Sequence, residues 1–336
     1  MQKTIIVTGP DLASSATKLL QQQGFTLVHT APYSQEEELL QLVEQHHPVG
    51  IISRMGKITA KVIDAALPNL KVIAKHGVGV DNIDIQTAAE RNIPVVVASG
   101  ANAVSVAEHT IALLLTVTKQ ILPLDDSLRC GRWEKPGFSG YEVSGKNMGL
   151  LGMGSIAQET ARIAKGLNIN LFGYDPYAED ALFEQFSVQR CATVDELLAN
   201  SQILSLHSPL TEETRQIINQ DSIAKLPAGS FIINTARGGL IDELALVAAI
   251  ESKHLAGAGL DTFAVEPPAA DHPFFQHNNI VVTPHIAGVT NEGSTRVSIS
   301  AAEGILTITA GEKLPAHRVI NRKLMASPQD FVQNGE

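Results

Sequence analysis

Cysteine and aromatic side chains are the first shortages in this chain: two Cys and one Trp among 336 residues, with Phe, Trp and Tyr together at 4%. Cys130 and Cys191 show neither CxxC spacing nor a neighbouring His cluster. That excludes a disulfide framework and a cysteine-zinc site, so no metal is expected, and a reducing compartment is the simplest setting. Positive charge is also short. Lys and Arg number 25 against 35 Asp and Glu, a formal net charge of −10, which argues against nucleic acid and membrane surfaces as partners. No apolar run approaches the ~18 residues needed to cross a bilayer. The best stretch, 111–117, is closely flanked by polar residues, and Ile5-Ile6-Val7 ends at Gly9-Pro10, too soon for a signal-peptide core. The expectation is a cytoplasmic protein without internal repeats or low-complexity tracts.

What is present is apolar mass: 44% hydrophobic residues against 18% charged ones, ample for a core in each of two domains. Short β-branched runs alternate with segments of helical period: 4–8 then 14–23, 50–52 then 60–66, 71–74 then 85–91, and 95–97. Strands apolar on both faces belong in parallel sheets covered by helices. A long helix is predicted over 103–121, with Ser105 as N-cap and Pro123 as stop. After the polar passage 130–146 a second series of five or six strands begins, at 148–151, 171–174, 203–206, 231–234, 257–260 and 280–283, followed by a helix over 295–310. The fold class is α/β with two doubly wound parallel sheets.

The second series opens with Gly152-Met153-Gly154-Ser155-Ile156-Ala157, directly after a strand and at the start of a helix, the context that gives GxGxxG/A its meaning. Gly152 permits the tight turn, Gly154 lets backbone approach a pyrophosphate, and Ala157 keeps helix and sheet close. The helix N-terminus offers N–H groups to the anion. Asp175 ends the next strand, 21 positions beyond Gly154, where a carboxylate accepts hydrogen bonds from the adenosine ribose. It would repel a 2′-phosphate, and residues 176–180 supply no Arg or Lys, so NAD is favoured over NADP.

Three further strands end in polar residues: Arg237 in Asn234-Thr235-Ala236-Arg237-Gly238-Gly239, Asp261 in Asp261-Thr262-Phe263, and His285 in Pro284-His285. Carboxyl ends of strands line the ligand crevice of an open α/β sheet. Beside a nicotinamide, Arg237 can grip a carboxylate and His285 can exchange a proton with a hydroxyl, while Glu266 can fix the His285 tautomer. Taken singly, a strand-end Arg is equally a solvated side chain and a lone His equally a packed one.

Eight blocks carry a resemblance: Lys75-His76-Gly77-Val78-Gly79-Val80-Asp81-Asn82-Ile83-Asp84; Ala107-Glu108-His109; the Gly152 motif; His207-Ser208-Pro209-Leu210-Thr211; Asn234-Thr235-Ala236-Arg237-Gly238; Gly259-Leu260-Asp261; Glu266-Pro267; and Thr283-Pro284-His285-Ile286-Ala287-Gly288. In this order they resemble the D-isomer-specific 2-hydroxyacid dehydrogenases over nearly the whole chain, and most the branch containing D-3-phosphoglycerate dehydrogenases. The resemblance implies a Rossmann NAD-binding domain, 101–290, inserted into a flavodoxin-like substrate domain of 1–100 plus 291–336.

It further implies Arg237, Glu266 and His285 as the catalytic set, with NAD as cofactor and a small anionic 2-hydroxy or 2-oxo acid as substrate. Cofactor contacts are implied at Gly152, Gly154, Ser155, Ile156, Asp175, His207, Ser208, Pro209, Thr214, Thr235, Ala236, Arg237, Asp261, His285 and Gly288, with Asp261 at the nicotinamide end. Arg54, Gly77, Val78 and Gly79, with Arg237 and His285, would bind the substrate. Ser155 stands where many relatives carry a basic residue, so one ionic contact to pyrophosphate is absent. After Leu314 only 22 residues remain, too few for a regulatory domain.

Arg54, Lys57, Lys75 and Lys135 are candidate cations for a phosphorylated substrate such as 3-phosphoglycerate, or simply solvated. Glyoxylate, hydroxypyruvate and sugar-acid reductases share the same core motifs, and some relatives act as NAD-sensing corepressors. The apolar run Ile111-Ala112-Leu113-Leu114-Leu115 suggests burial against another surface, as in a homodimer or a higher assembly; an internal core helix is the competing reading.

Overall fold

The structure is a computed structural model, described for residues 3–333. In chain order the first part runs β1 (Lys3–Thr8), α1 (Ser14–Gln22), β2 (Phe25–His29), α2 (Glu36–His46), β3 (Gly50–Ser53), α3 (Ala60–Ala65), β4 (Val72–Lys75), α4 (Ile85–Glu90) and β5 (Val95–Val96). The second part comprises α5 (Ala103–Lys119), α6 (Ile121–Arg129), β6 (Asn147–Leu151), α7 (Ser155–Gly166), β7 (Asn170–Tyr174), α8 (Asp180–Phe186), β8 (Gln189–Arg190), α9 (Val194–Asn200), β9 (Ile203–Leu206), α10 (Gln220–Ile223), β10 (Ser230–Asn234), α11 (Glu243–Glu251), β11 (Leu255–Leu260) and β12 (Ile280–Val282). The chain then enters α12 (Asn291–Thr309). Two compact units result, one of residues 1–102 with 290–336 and one of 103–289.

The first unit is a five-stranded parallel sheet in the order β2-β1-β3-β4-β5. Strand alternation feeds two cores. Ile5, Val7, Ile52, Val72 and Ala74 face one, while Ile6, Ile51 and Ile73 face the other. Each fully buried Ile or Val contributes about 1.5–3 kcal/mol. The first core is completed by Ala301, Ala302, Ile305 and Ile308 of α12, which packs on α1 and β4. Next to edge strand β5, buried Asn321 accepts from Val95 N–H (2.9 Å) and donates to Ile93 C=O (2.9 Å), occupying backbone groups that an open edge would leave unpaired.

The second unit is a seven-stranded parallel sheet ordered β12-β11-β10-β9-β6-β7-β8, one strand more than the sequence reading. The addition is β8, two exposed residues paired with β7. Alternation again divides the strands between two cores: Met148, Ile203, Phe231 and Ile233 face α5 and α7, and Leu204, Ile232 and Leu260 face the other side. The order reverses at the β6/β9 boundary, so the carboxyl ends of these strands define the crevice of a doubly wound sheet.

Two sequence readings are corrected at the long helix. Ser105 does not cap it but lies buried within α5. Pro123 does not stop it: the break is at Gln120, in left-handed conformation with φ 51°, and Pro123 falls in the first turn of α6, where its missing N–H is not needed. The apolar run of α5 packs on α7, β10, β11 and β12 of its own unit, with Ile111, Leu113, Leu114 and Val117 buried. The helix belongs to an internal core. No helix among the described residues is long and apolar enough to cross a membrane.

Candidate active site

The glycine turn after β6 contains two glycines with different physical demands. Gly152 has φ +97°, and a Cβ there would lie 2.9 Å from the His207 carbonyl oxygen, so both conformation and close approach exclude a side chain. Gly154 caps α7 in extended conformation without a side-chain capping bond, and a Cβ there would meet nothing within 4 Å. The space beside it is open, and the first N–H groups of a twelve-residue helix lead into it. Ser155 is exposed, Ile156 half-buried and Ala157 fully buried. An uncapped helix N-terminus with open space fits a pyrophosphate.

Asp175, just beyond β7, accepts the Met153 N–H on Oδ2 (2.9 Å) and the Tyr177 N–H on Oδ1 (2.9 Å). It therefore braces the glycine turn, with lone pairs remaining for a ribose diol. One cation was not foreseen from residues 176–180. Arg190, on neighbouring β8, donates to the Asp175 carbonyl (3.3 Å), pairs with Asp180, and stacks on Phe183 at 4.9 Å. Only the strand pairing brings it there.

At the end of β9, the His207 ring shares a 2.9 Å hydrogen bond with Ser205 Oγ, and burial pushes its pKa down to about 3, so it is neutral at pH 7. Ser208 donates to Leu151 C=O (3.0 Å), tying the loop to β6. The Thr214 hydroxyl donates to the carbonyl oxygen of exposed Pro209 (2.7 Å). Buried Thr235 bonds the Thr110 hydroxyl of α5 (2.8 Å).

The turn bearing Arg237 is built by buried Asn234, which accepts from Ala236 N–H (3.0 Å) and donates to Arg237 C=O (2.8 Å). Arg237 itself donates to Ala236 C=O (2.7 Å). Next to it, a Cβ on Gly238 would sit 1.9 Å from the Phe263 carbonyl carbon. The β10 and β11 loops are thus in backbone contact, possible only with glycine at this position.

That contact leads directly to Glu266. Its Oε1 accepts the Phe263 N–H (3.1 Å) and its Oε2 the Nδ1 of His285 (2.7 Å). Burial pushes the Glu266 pKa up, but the His285 hydrogen bond and charge, the Phe263 N–H and the Arg237 charge outweigh it and hold the carboxyl below its usual range. Arg237, Glu266 and His285 are therefore electrostatically coupled. His285 has φ +54°, a strained conformation for a non-glycine residue, and its side chain is half exposed. With Nδ1 turned to Glu266, Nε2 is the nitrogen left for a ligand.

Asp261 lies beneath this histidine, fully buried. Its carboxylate accepts Ile286 N–H (2.9 Å) and Ala287 N–H (2.8 Å), so in this structure it serves the 283–287 loop and presents no exposed surface to a nicotinamide. Gly288 follows, half-buried.

The substrate-binding candidates Arg54, Gly77, Val78 and Gly79 belong to the first unit. Arg54 follows β3, and its guanidinium donates to the carbonyls of Pro10 and Asp11. Gly77, after β4, has φ +141°; Val78 is exposed and Gly79 half-buried. His76 bonds Ser298 Oγ of α12 (2.8 Å); burial first, then the charges of Arg54 and Lys75, lower its pKa to about 3. Lys75 Nζ donates to Asn82 Oδ1 (2.7 Å). Lys57 and Lys135 are exposed.

A family model described as the D-isomer specific 2-hydroxyacid dehydrogenase, NAD binding domain, matches residues 111–287, more than half of the chain. The chain belongs to this family. Among similar members, a D-3-phosphoglycerate dehydrogenase of Archaeoglobus fulgidus is 40% identical over 88% of this chain and 55% of its own length. A hydroxypyruvate reductase of Thermotoga maritima is 40% identical over 88% of this chain and 94% of its own. The chain spans about half the length of the phosphoglycerate dehydrogenases it matches. The crystal structure of a glyoxylate reductase from Paecilomyes thermophila superposes with TM-score 0.84 at 29% identity, covering 93% of this dehydrogenase-family chain and 97% of the other.

Proposed function

We propose that this chain is an NAD-dependent oxidoreductase interconverting a D-2-hydroxy acid and its 2-oxo acid. The observation that carries the reading is the 2.7 Å Glu266–His285 hydrogen bond, beside Arg237, at the carboxyl ends of β10, β11 and β12 in the same parallel sheet whose β6 leads into the glycine turn.

In the direction of reduction, Arg237 holds the substrate carboxylate and stabilises negative charge developing on the carbonyl oxygen. His285, protonated, gives its Nε2 proton to that oxygen, and ionised Glu266 holds the ring by Nδ1–H and stabilises the imidazolium. In oxidation the neutral imidazole removes the hydroxyl proton. A bound nicotinamide cofactor supplies the hydride in one direction and takes it up in the other. The glycine turn and the start of α7 would hold its pyrophosphate, and Asp175 its ribose, favouring NAD.

We assign substrate binding in the first unit to Arg54 and the 77–79 loop. Ser53 and Lys75 are register partners on adjacent strands, so Arg54, next to Ser53, and Lys75 bring positive charge to one sheet end, which supports 3-phosphohydroxypyruvate as first substrate over hydroxypyruvate and glyoxylate. NADH oxidation against these acids, pyruvate and 2-oxogluconate tests the reading; no reduction of any of them would overturn it.

We assign the assembly as a homodimer, now on the segment following α5. Ile121, Leu122, Leu128, Trp133, Phe138 and Tyr141 are 41–71% exposed, a concentration of apolar surface that a second copy would cover. Mass measurement in solution tests this. A cytoplasmic setting accords with two free thiols, exposed Cys130 and buried Cys191.

A further inference from the structure

We propose that His109 and Thr283 are positioning residues that hold His285 in its working conformation through Asp261. The proposal rests on the reading of His285 as proton donor and acceptor, and adds the network that fixes it.

The hydrogen bonds have only one possible direction. The Asp261 carboxylate, fully buried, can only accept. Thr283 Oγ1 lies 2.6 Å from Asp261 Oδ1, so the hydroxyl proton is committed to the carboxylate. The same hydroxyl lies 2.9 Å from His109 Nε2, and with its proton spent it accepts there. His109 therefore carries a proton on Nε2, and the chain runs from His109 to Thr283 to Asp261. His109 Nε2 is also 3.7 Å from Asp261 Oδ1.

The network encloses His285. Residue 283 lies before it and residues 286 and 287 after it, all bonded to the Asp261 carboxylate, while the His285 N–H donates to the Asp261 carbonyl (2.8 Å). The Asp261 N–H in turn donates to Asn234 C=O (2.9 Å), linking the loop to the strand end that carries Arg237. His109 is on α5, whose neighbours Thr110 and Ile111 are buried, so the loop is anchored to core helix rather than to another loop. A half-exposed histidine at φ +54° holds such a conformation only when its surroundings over-determine it.

The test uses the full chain with NADH and the 2-oxo acid it reduces best, in T283V, T283S, H109L and H109Q. T283V and H109L should lower kcat by about 10²-fold, the effect of misplacing a reacting group by ~1 Å. NADH affinity should fall far less than kcat, because the glycine turn, the start of α7 and Asp175, assigned to the pyrophosphate and ribose, are untouched. T283S, which keeps the hydroxyl, should recover most of the turnover, and H109Q, which keeps an N–H donor, part of it. The His285 imidazole NMR signal, assigned by its loss in H285A, should move in T283V and H109L. Wild-type kcat with an unmoved His285 signal in both overturns the proposal, as does equal loss of NADH affinity and turnover that T283S fails to restore. If the wild-type chain reduces no 2-oxo acid while the signal still moves in T283V, the network stands and the enzymatic reading falls.

Discussion

His285 Nδ1 lies 2.7 Å from Glu266 Oε2, although the two residues come from different strand-end loops. The carboxylate fixes one ring nitrogen and leaves the other for chemistry. H285A should lower turnover by about 10²–10⁴-fold with NADH affinity nearly intact, since proton transfer is lost and the nucleotide site is not. E266Q, which removes the charge and keeps the shape, should lower kcat by at least about 10²-fold. Steady-state kinetics with parallel fluorescence titration of NADH reads both, and near-normal turnover in H285A would sink the assignment.

Gly152 and Gly154 should respond oppositely to alanine. At Gly152 a methyl group meets the His207 carbonyl at 2.9 Å with φ at +97°, so G152A should cost roughly 1–3 kcal/mol of stability. At Gly154 a methyl meets nothing within 4 Å. G154A should therefore leave Tm unchanged and weaken NADH binding, because the space it fills is the one assigned to pyrophosphate. Unaltered NADH affinity in G154A would place the dinucleotide elsewhere.

Asp175 is assigned the discrimination between NAD and NADP, and Arg190 lies against its carbonyl. D175N should raise kcat/KM for NADPH relative to NADH by about tenfold or more, since a like-charge penalty is removed while a guanidinium stays near. The ratio of the two kcat/KM values is the measurement, and an unchanged ratio would refute the role of Asp175.

His76 and His207, each with a pKa lowered to about 3 from 6.5, tie stability to pH. Folded, both stay neutral down to about pH 3; unfolded, both take up protons below pH 6.5. Their contribution is complete above 6.5 and is lost as pH falls from 6.5 towards 3, at up to about 1.4 kcal/mol per pH unit for each. Denaturation between pH 6 and 5, before most carboxylates titrate, should show this slope, and H207N should be about half as steep. An unchanged slope in H207N would show that the ring is not buried neutral.

Short continuous β-branched and apolar runs by themselves determined most strands of both sheets, because each face of a doubly covered parallel sheet must be apolar. The glycine turn and Asp175 were legible for a related reason: their spacing is set within one strand-turn-helix-strand unit. What was not legible had weaker local cause. Edge strand β2 is only partly buried along Phe25–His29, and β8 is two exposed residues. Neither carries the apolar run that marks a central strand. At Pro123 the sequence is ambiguous, because proline stops a helix or sits in the first turn of the next, depending on where the chain breaks, here at Gln120.

Only the tertiary structure decided that Arg190 comes beside Asp175, that α12 completes the first core, and that Asp261 works beneath the His285 loop. These depend on pairing between strands and on hydrogen bonds spanning 22 to 174 positions. No local pattern encodes such contacts. A sequence can show that Arg237, Glu266 and His285 end up near strand ends, but the contact at Gly238 and the buried acceptor at Asp261 exist only once parallel strands align those ends.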